Sequence, residues 1–593
     1  MKTLLLATAL SVAAASPYTL DLGRYYPSAM AEQTERTGLL LRVDAFIKQP
    51  ASSLDTPQAF YGWLSTYDSL SKELRKHNLY VYVRAEEDVD DKGDAVADDT
   101  LSAATDRLDD AVREALAALG AERLHGYINA DSRLEPFLYF VDSVLTEAAH
   151  DNRDRQAVTE LAKPALDSLS SAYQRLRRGA VASPSAASLA PVKAFAARWN
   201  PYLHNEDAFA ALLLPTVSLH NGVAKLQGFQ DAPEAAYSRA GLSKAEVRGA
   251  LEAIRSSAAN ARFESVVAAA AAGRLHVPVS SLHAWDLDAA DAYKPALVEF
   301  PDAVPQVLAA EQPMGAEYAG QYSRLFDPAA GRVEWCRTAK CDDSGFSLGY
   351  AGMVSSLFYG AYHGSTDNMR AVAHEAGHAV HREFMNENQP LAVYNDGPKF
   401  VFESFAIFNE FLFLDHLYGT ASNLAARAYY LRQFVDDAAF QIYGSAEETD
   451  LEESIYAGVQ DGSLRSAADL DALTLKVFSR YTAAPGLQPE MKVYWARNRL
   501  YFTDPLYDVN YLYAGLLALE YLRRFETDPR GFSNRYVALL KNGFTDTPQA
   551  LEKKFLGIDL GDSAGLARDA AEMITRRTVT LESLYAVPAA TIP

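Results

Sequence analysis

HEAGHAVH, His374 to His381, followed by FVFESFAIFNEF, Phe400 to Phe411, is the stretch around which the rest of the chain is organised. The first segment contains H-E-x-x-H. On a helix, His374 and His378 stand four apart on one face, about 6 Å apart at Cβ, so both imidazoles can reach one ion. A catalytic zinc takes three protein ligands and keeps a fourth position for water, and Glu403 in the second segment is the natural third ligand. Glu375 adjoins His374 but points about 100° around the helix, which makes it the candidate general base. Met369, Val372, Ala373, Ala376, Ala379 and Val380 give this helix a buried face, with Thr366 or Asp367 as its N-cap and Asn388-Gln389-Pro390 as its stop. The second segment is apolar nearly all round, yet carries Glu403 and Glu410 seven apart. A buried carboxylate without a partner is costly, and a metal ion removes that cost.

GSTDNMRAVAHEAGHAVH (Gly364 to His381), NENQP (Asn386 to Pro390) and FVFESFAIFNE (Phe400 to Glu410) together resemble the oligoendopeptidase F and thimet oligopeptidase family of zinc peptidases, in the family's order and spacing. The resemblance implies one zinc per chain on His374, His378 and Glu403, with Glu375 as the catalytic glutamate. It places Glu410 in support of the site and makes His381 a neighbour of the metal, not a ligand. It also implies a mainly α-helical, gluzincin-like zinc-peptidase body with a small β-element beside the cleft, faced by an N-terminal helical part, and short peptides as substrates. It extends over most of the chain, dense in the C-terminal half and thin before about Asn200.

The residues from Met491 to Leu517 hold a second cluster, with Tyr507 and Tyr511 four apart. A phenol beside a polarised carbonyl donates to the developing oxyanion, and the resemblance assigns that role to this pair. Tyr494, Tyr501 and Tyr513 lie close by in sequence, and packing is the competing account of so aromatic a stretch. One departure stands out. The family has a histidine shortly before the first tyrosine, where this chain has Leu500, Tyr501 and Phe502. Either another group takes its place, such as Tyr501, Arg497, Arg499 or His363, or the enzyme is slower or altered in specificity.

Outside these segments the signals are broader. Lys2, the apolar run Leu4 to Ala15 and the small residues Ala13 to Ala15 read as a secretory signal peptide cleaved near Ala15, with a periplasmic or secreted product. No later stretch has eighteen uninterrupted apolar residues, so no membrane span is expected. With 77 Asp and Glu against 55 Lys and Arg, the net charge of −22 disfavours nucleic acid or an anionic membrane as partner. Cys336 and Cys341, in WCRTAKC, are the only cysteines and are candidates for a disulfide in an oxidising compartment.

Three parts follow: the signal peptide (1–15), an N-terminal helical domain (16–200) and the catalytic zinc-peptidase domain (201–593). In the second, Leu101, Leu108, Val112, Leu116 and Leu119 predict a helix ended by Gly120. Leu134–Ala149 and Ala157–Arg178 follow the same pattern, the acidic run Glu86 to Asp99 reads as a solvated loop, and Gly179 to Pro191 as a linker. A capping box at Ser243 and Glu246 starts a helix in the third part. Ser347 to Gly364, rich in Gly, Ser, Tyr and Phe, breaks the helical pattern and predicts a β-element; its exposed edge suits a peptide backbone. The reading is a zinc-dependent oligoendopeptidase. Its alternatives are exopeptidase specificity on the same site, a zinc-retaining peptide-binding protein with little turnover, and a structural zinc protein with His381 as fourth ligand. Oligomeric state is not legible.

Overall fold

The computed structural model describes residues 16–150, 153–181 and 191–586, apart from 339, 343 and 361. The expected signal peptide (1–15) and residues 182–190 of the expected linker lie outside the described residues. The described residues are mainly helical, with one small sheet among them, as the sequence predicts.

The N-terminal helices Ala29–Ile47, Pro57–Glu87, Lys92–Leu119 and Ala121–Ala130 enclose a core of their own. Leu101, Leu108, Val112 and Leu116 are buried in it, and the helix that carries them stops at Gly120, whose φ of 77° is open to glycine. The acidic run Glu86 to Asp99 is not a loop. Helix Pro57–Glu87 continues into it, the turn takes only a few residues, and Lys92–Leu119 begins inside it. Its acids serve as helix-end partners, a role composition does not reveal. Asp91 caps the second helix by accepting from Gly93 N–H, Asp94 pairs with Arg84 at 2.9 Å, and Asp98 accepts from Asn78 at 2.6 Å.

The larger core starts in the long helix Arg153–Val181, where Tyr173 stacks on Phe502 with ring centroids 3.9 Å apart. Both Ala157–Arg178 and the Ser243–Glu246 capping box are found as predicted. Leu134–Ala149 begins instead with a 3-10 turn, Ser132–Phe137, before the α-helix Leu138–His150.

The predicted β-element is a sheet of three strands in the order β1-β3-β2: β1 (Val333–Trp335), β2 (Gly345–Tyr350) and β3 (Met353–Tyr359). β2 and β3 form an antiparallel hairpin around Ala351 and Gly352, the latter with φ 81°; β1 runs parallel to β3. β1 has no sequence signal, since three residues are too few to alternate. Cys336, just after it, is joined to Cys341 in a disulfide.

Five helices follow and frame the site: α1 (Thr366–Asn388), α2 (Lys399–Thr420), α3 (Leu424–Ala439), α4 (Ser445–Asp461) and α5 (Asp508–Thr527). The N-cap of α1 is Ser365, not Thr366 or Asp367: Ser365 Oγ accepts from Asn368 N–H while Asn368 returns the bond, a reciprocal cap. α1 packs on β2 and β3 and on α2, and α2 packs on α5. The approach of α1 to α2 depends on Gly377, where a Cβ would lie 2.7 Å from Asn409 Nδ2 and 3.1 Å from the Cα of Ala406. Asn409 is itself fixed, accepting from Tyr318 and Tyr322 hydroxyls at 2.9 and 2.7 Å. Gly377→Ala is therefore expected to destabilise the protein by about 1–3 kcal/mol, because α2 must move away, and a urea unfolding titration against the wild type measures this.

Candidate metal centre

One turn of α1 presents His374 and His378 side by side, their rings nearly perpendicular at 88° with centroids 4.8 Å apart. Across from them, Glu403 in the first turns of α2 places Oε2 3.4 Å from His374 Nε2 and 3.5 Å from His378 Nε2. The donor atoms of these three residues lie within 4.8 Å of one another, and they form the one such group among the described residues. Two imidazole nitrogens and one carboxylate are the borderline nitrogen and oxygen set that suits zinc, with room for a further ligand. Their side chains are 20%, 12% and 17% exposed, so the centre is recessed but reachable from solvent.

The buried side of the centre is built from charge. His374 Nδ1 is 2.6 Å from Glu410 Oε1, an arrangement that puts the ring proton on Nδ1 and turns the Nε2 lone pair towards His378 and Glu403. Arg370, one turn earlier on α1, donates to Glu410 Oε2 at 2.7 Å and also to Asp437 on α3. Burial alone would raise Glu410, but Arg370 and His374 outweigh it and hold its carboxyl below the ordinary range. Asp437 goes the other way, pushed up to about 7 by burial and by Glu410, and its Oδ2 has no partner. Arg370 is thus the cation that lets two buried carboxylates sit behind one histidine. Arg370 and Asp437 were missed by the sequence reading; an arginine four residues before the first histidine was the available signal.

Burial would lower His374, yet its hydrogen bonds to Glu403 and Glu410 raise it well above an ordinary histidine. Glu375 is half-buried and has its carboxyl raised by burial, against the pull of His374 and His378. His381, one turn beyond His378, sits among Phe402, Phe405 and Phe544 with centroids 4.4–5.9 Å away. Burial lowers it and its Nδ1 lacks a hydrogen bond, so it stands outside the donor set.

Tyr507 and Tyr511, at the start of α5, meet edge to face with centroids 5.3 Å apart. Burial, and next the charge of Glu403, raise both phenols, so the pair lies within electrostatic reach of that ligand. Their neighbours in sequence are otherwise employed. Tyr494 bonds Glu448, Tyr501 donates to the Glu448 carbonyl at 2.8 Å, and Tyr513 bonds Ser563 at 2.9 Å. Among the described residues, neither Tyr507 nor Tyr511 has a hydrogen-bond partner for its hydroxyl. The other three phenols are thus held by hydrogen bonds, while Tyr507 and Tyr511 pack against each other.

The chain is thus a mainly helical body whose His/His/Glu group could hold one metal ion. Residues 364–568 match the model of Peptidase family M3. The chain is 23% identical over 411 residues to an oligoendopeptidase F homolog of Lactococcus lactis, covering 66% of this chain and 63% of the relative. It is 28% identical over 226 residues to the group B oligopeptidase PepB of Streptococcus agalactiae, covering 37% of this chain and 36% of the relative. The matches therefore span less than two thirds of these relatives' own length. The fold as a whole is similar to the crystal structure of a candidate peptidase from Chlamydophila abortus, with a TM-score of 0.78 at 18% identity over 96% of this chain and 98% of the other.

Two outcomes follow from the charges behind the site. Removing the cation in Arg370→Gln leaves Glu410 and Asp437 to repel each other and loosens His374; Zn2+ affinity, measured by competition with a chelator, is expected to fall about 10–100-fold. Behind the tyrosines, burial pushes Asp508 up to about 7 from an ordinary 3.8. The folded state thus holds a proton that the unfolded state releases. Stability from this group is full below the unfolded value and drains away as pH rises through the folded value. Between about pH 4 and 7 the wild type is expected to lose stability relative to Asp508→Asn, and no further above that range, as read from denaturation midpoints.

Proposed function

We propose that this protein is a zinc-dependent oligoendopeptidase acting on short peptides. The observation that carries the proposal is the convergence of His374, His378 and Glu403 beside one carboxylate, Glu375, and two unpartnered phenols, Tyr507 and Tyr511. Zinc held by the three ligands would act as a Lewis acid, polarising the scissile carbonyl and lowering the pKa of water to about 7.

The chain's own residues supply the rest. Glu375, next to His374 and raised by burial, takes the proton of the attacking water as the new C–O bond forms. It then delivers that proton to the amide nitrogen as the C–N bond breaks, leaving a carboxylate and an amine. Tyr507 and Tyr511 stand ready to donate to the oxygen that gains charge in between. Of the four candidates for the place of the family's histidine, Tyr501 is fully buried with its hydroxyl committed, and Arg497 lies over the Trp199 ring. His363 is exposed near the cap of α1, where its backbone N–H donates to Asn368. Arg499 is about half exposed, donates to Thr503 and pairs with Asp504 at 3.6 Å, just before Tyr507.

The β-element beside α1 offers β2 as an edge on which a peptide backbone can extend. We also read the enzyme as exported, from the leader pattern of its first residues and from the paired Cys336 and Cys341. Among the described residues no helix is long and apolar enough to cross a membrane.

The test is hydrolysis of a mixed set of short quenched fluorescent peptides by the wild type and by Glu375→Gln, each with zinc and with chelator. Internal cleavage by the wild type should vanish with chelator and return with zinc. Glu375→Gln should retain one zinc per chain and lose about 10²–10⁴-fold in kcat. Cleavage that ignores the chelator, or a zinc-loaded wild type that binds peptides without cutting them, would sink the proposal.

A further inference from the structure

Tyr507, within electrostatic reach of Glu403, follows a short loop, Asp504-Pro505-Leu506, and that loop adopts a backbone its sequence does not favour. Leu506 is buried with φ 64°, in the left-handed region that branched side chains avoid. Besides Leu506, only His276 among the described non-glycine residues has positive φ. Left-handed residues of this kind persist where the surroundings over-determine them.

Here the determinant is visible. The Leu506 N–H donates to Glu452 Oε1 at 2.8 Å, and Glu452, on α4, is only 2% exposed. The backbone on either side is also tied: Tyr507 N–H bonds the Asp504 carbonyl at 3.2 Å, and the Tyr507 carbonyl accepts from Asn510 N–H at 2.8 Å. Glu452 is therefore the contact from a separate helix that fixes how the chain enters Tyr507. Burying a carboxyl so completely is costly, and no basic side chain forms an ion pair with it among the described residues; burial and the nearby Asp508 both raise its pKa. That cost is maintained for a single backbone N–H.

We infer that Glu452 is a positioning residue for Tyr507: by accepting the Leu506 N–H it holds the left-handed turn that aims the Tyr507 phenol at the metal centre. The inference rests on the reading above that Tyr507 donates to the oxyanion. Glu452 itself touches no substrate in this account. Its carbonyl oxygen accepts whether or not the carboxyl is protonated, so an amide of the same shape should serve in its place.

A double-mutant cycle tests this with kcat, KM, zinc content and unfolding midpoint measured for each variant. Glu452→Met, which keeps the length but removes the acceptor, should lose about tenfold to a hundredfold in kcat, with KM and zinc content unchanged. Glu452→Gln should stay within about threefold of the wild type, because its amide oxygen accepts the same N–H. In a Tyr507→Phe background, Glu452→Met should cost nothing further in kcat, since the group it aims is gone. An equal loss in both backgrounds, or full kcat in Glu452→Met, would overturn the inference. Should Tyr507→Phe by itself leave kcat unchanged, the oxyanion role of that tyrosine fails instead, and the two failures are told apart. If Glu452→Met does not fold, Leu506→Val replaces it: Glu452 stays, one methylene is lost, and the β-branch disfavours the left-handed turn. It should reproduce the kcat loss and its disappearance with Tyr507→Phe, and unchanged kcat there would equally overturn the inference.

Discussion

Everything at this centre depends on one buried carboxylate being shared. Glu410 receives His374 Nδ1 on one oxygen and Arg370 on the other, and Arg370 in turn holds Asp437. Buried ions without partners are strongly destabilising, whereas a chain of alternating charges satisfies each member. The alternation also sets direction. A histidine whose Nδ1 proton is claimed from behind has its Nε2 lone pair available in front, and the first ligand is oriented before any ion arrives.

Close packing makes that chain of charges possible. Arg370 and His374 are on α1, Glu410 on α2 and Asp437 on α3, so three helices must lie within side-chain reach of one another. Gly377 admits α2 to within contact of the α1 backbone, and Asn409, pinned by two tyrosine hydroxyls, fixes where along α2 that contact falls. Glu403 and Glu410 lie on either side of Asn409's turn and inherit its placement. The apolar character of α2, which looked like mere burial, is what allows this helix to be surrounded on most sides while presenting two carboxylates to a single neighbour.

The ligands were legible because their chemistry is local: H-E-x-x-H fixes two donors by helical spacing, and a glutamate in an apolar helix demands a partner. The sharing of Glu410 was half legible, since its burial called for a partner but Asp437 lies 67 positions from Arg370 and looks like any acid on a helix. The acidic run after Glu86 was misread because charge density is the same whether the residues are solvated or capping helix ends, and only the ends themselves decide. Strand Val333–Trp335 is shorter than any pattern. The tyrosine pair was singled out by resemblance, but what separates Tyr507 and Tyr511 from Tyr494, Tyr501 and Tyr513 is where each hydroxyl goes, which depends on residues such as Glu448 and Ser563 far along the chain. The left-handed Leu506 leaves no trace in sequence, because leucine is not chosen for that conformation.

The disulfide loop has a mechanical meaning. Between Cys336 and Asp342 the chain leaves the sheet and clasps the end of the N-terminal helical hairpin: Val89 N–H bonds the Lys340 carbonyl at 2.9 Å, Asp342 N–H bonds the Glu86 carbonyl at 2.8 Å, and Lys340 pairs with Asp88 at 2.6 Å. Two backbone bonds and an ion pair thus rivet the smaller core to the sheet that lies against α1. Ala392 N–H bonds Asp68 and the Tyr394 hydroxyl bonds the Pro136 carbonyl, both at 2.6 Å, so the smaller core is pinned at a second place and resists swinging about the rivet like a blade on a pivot.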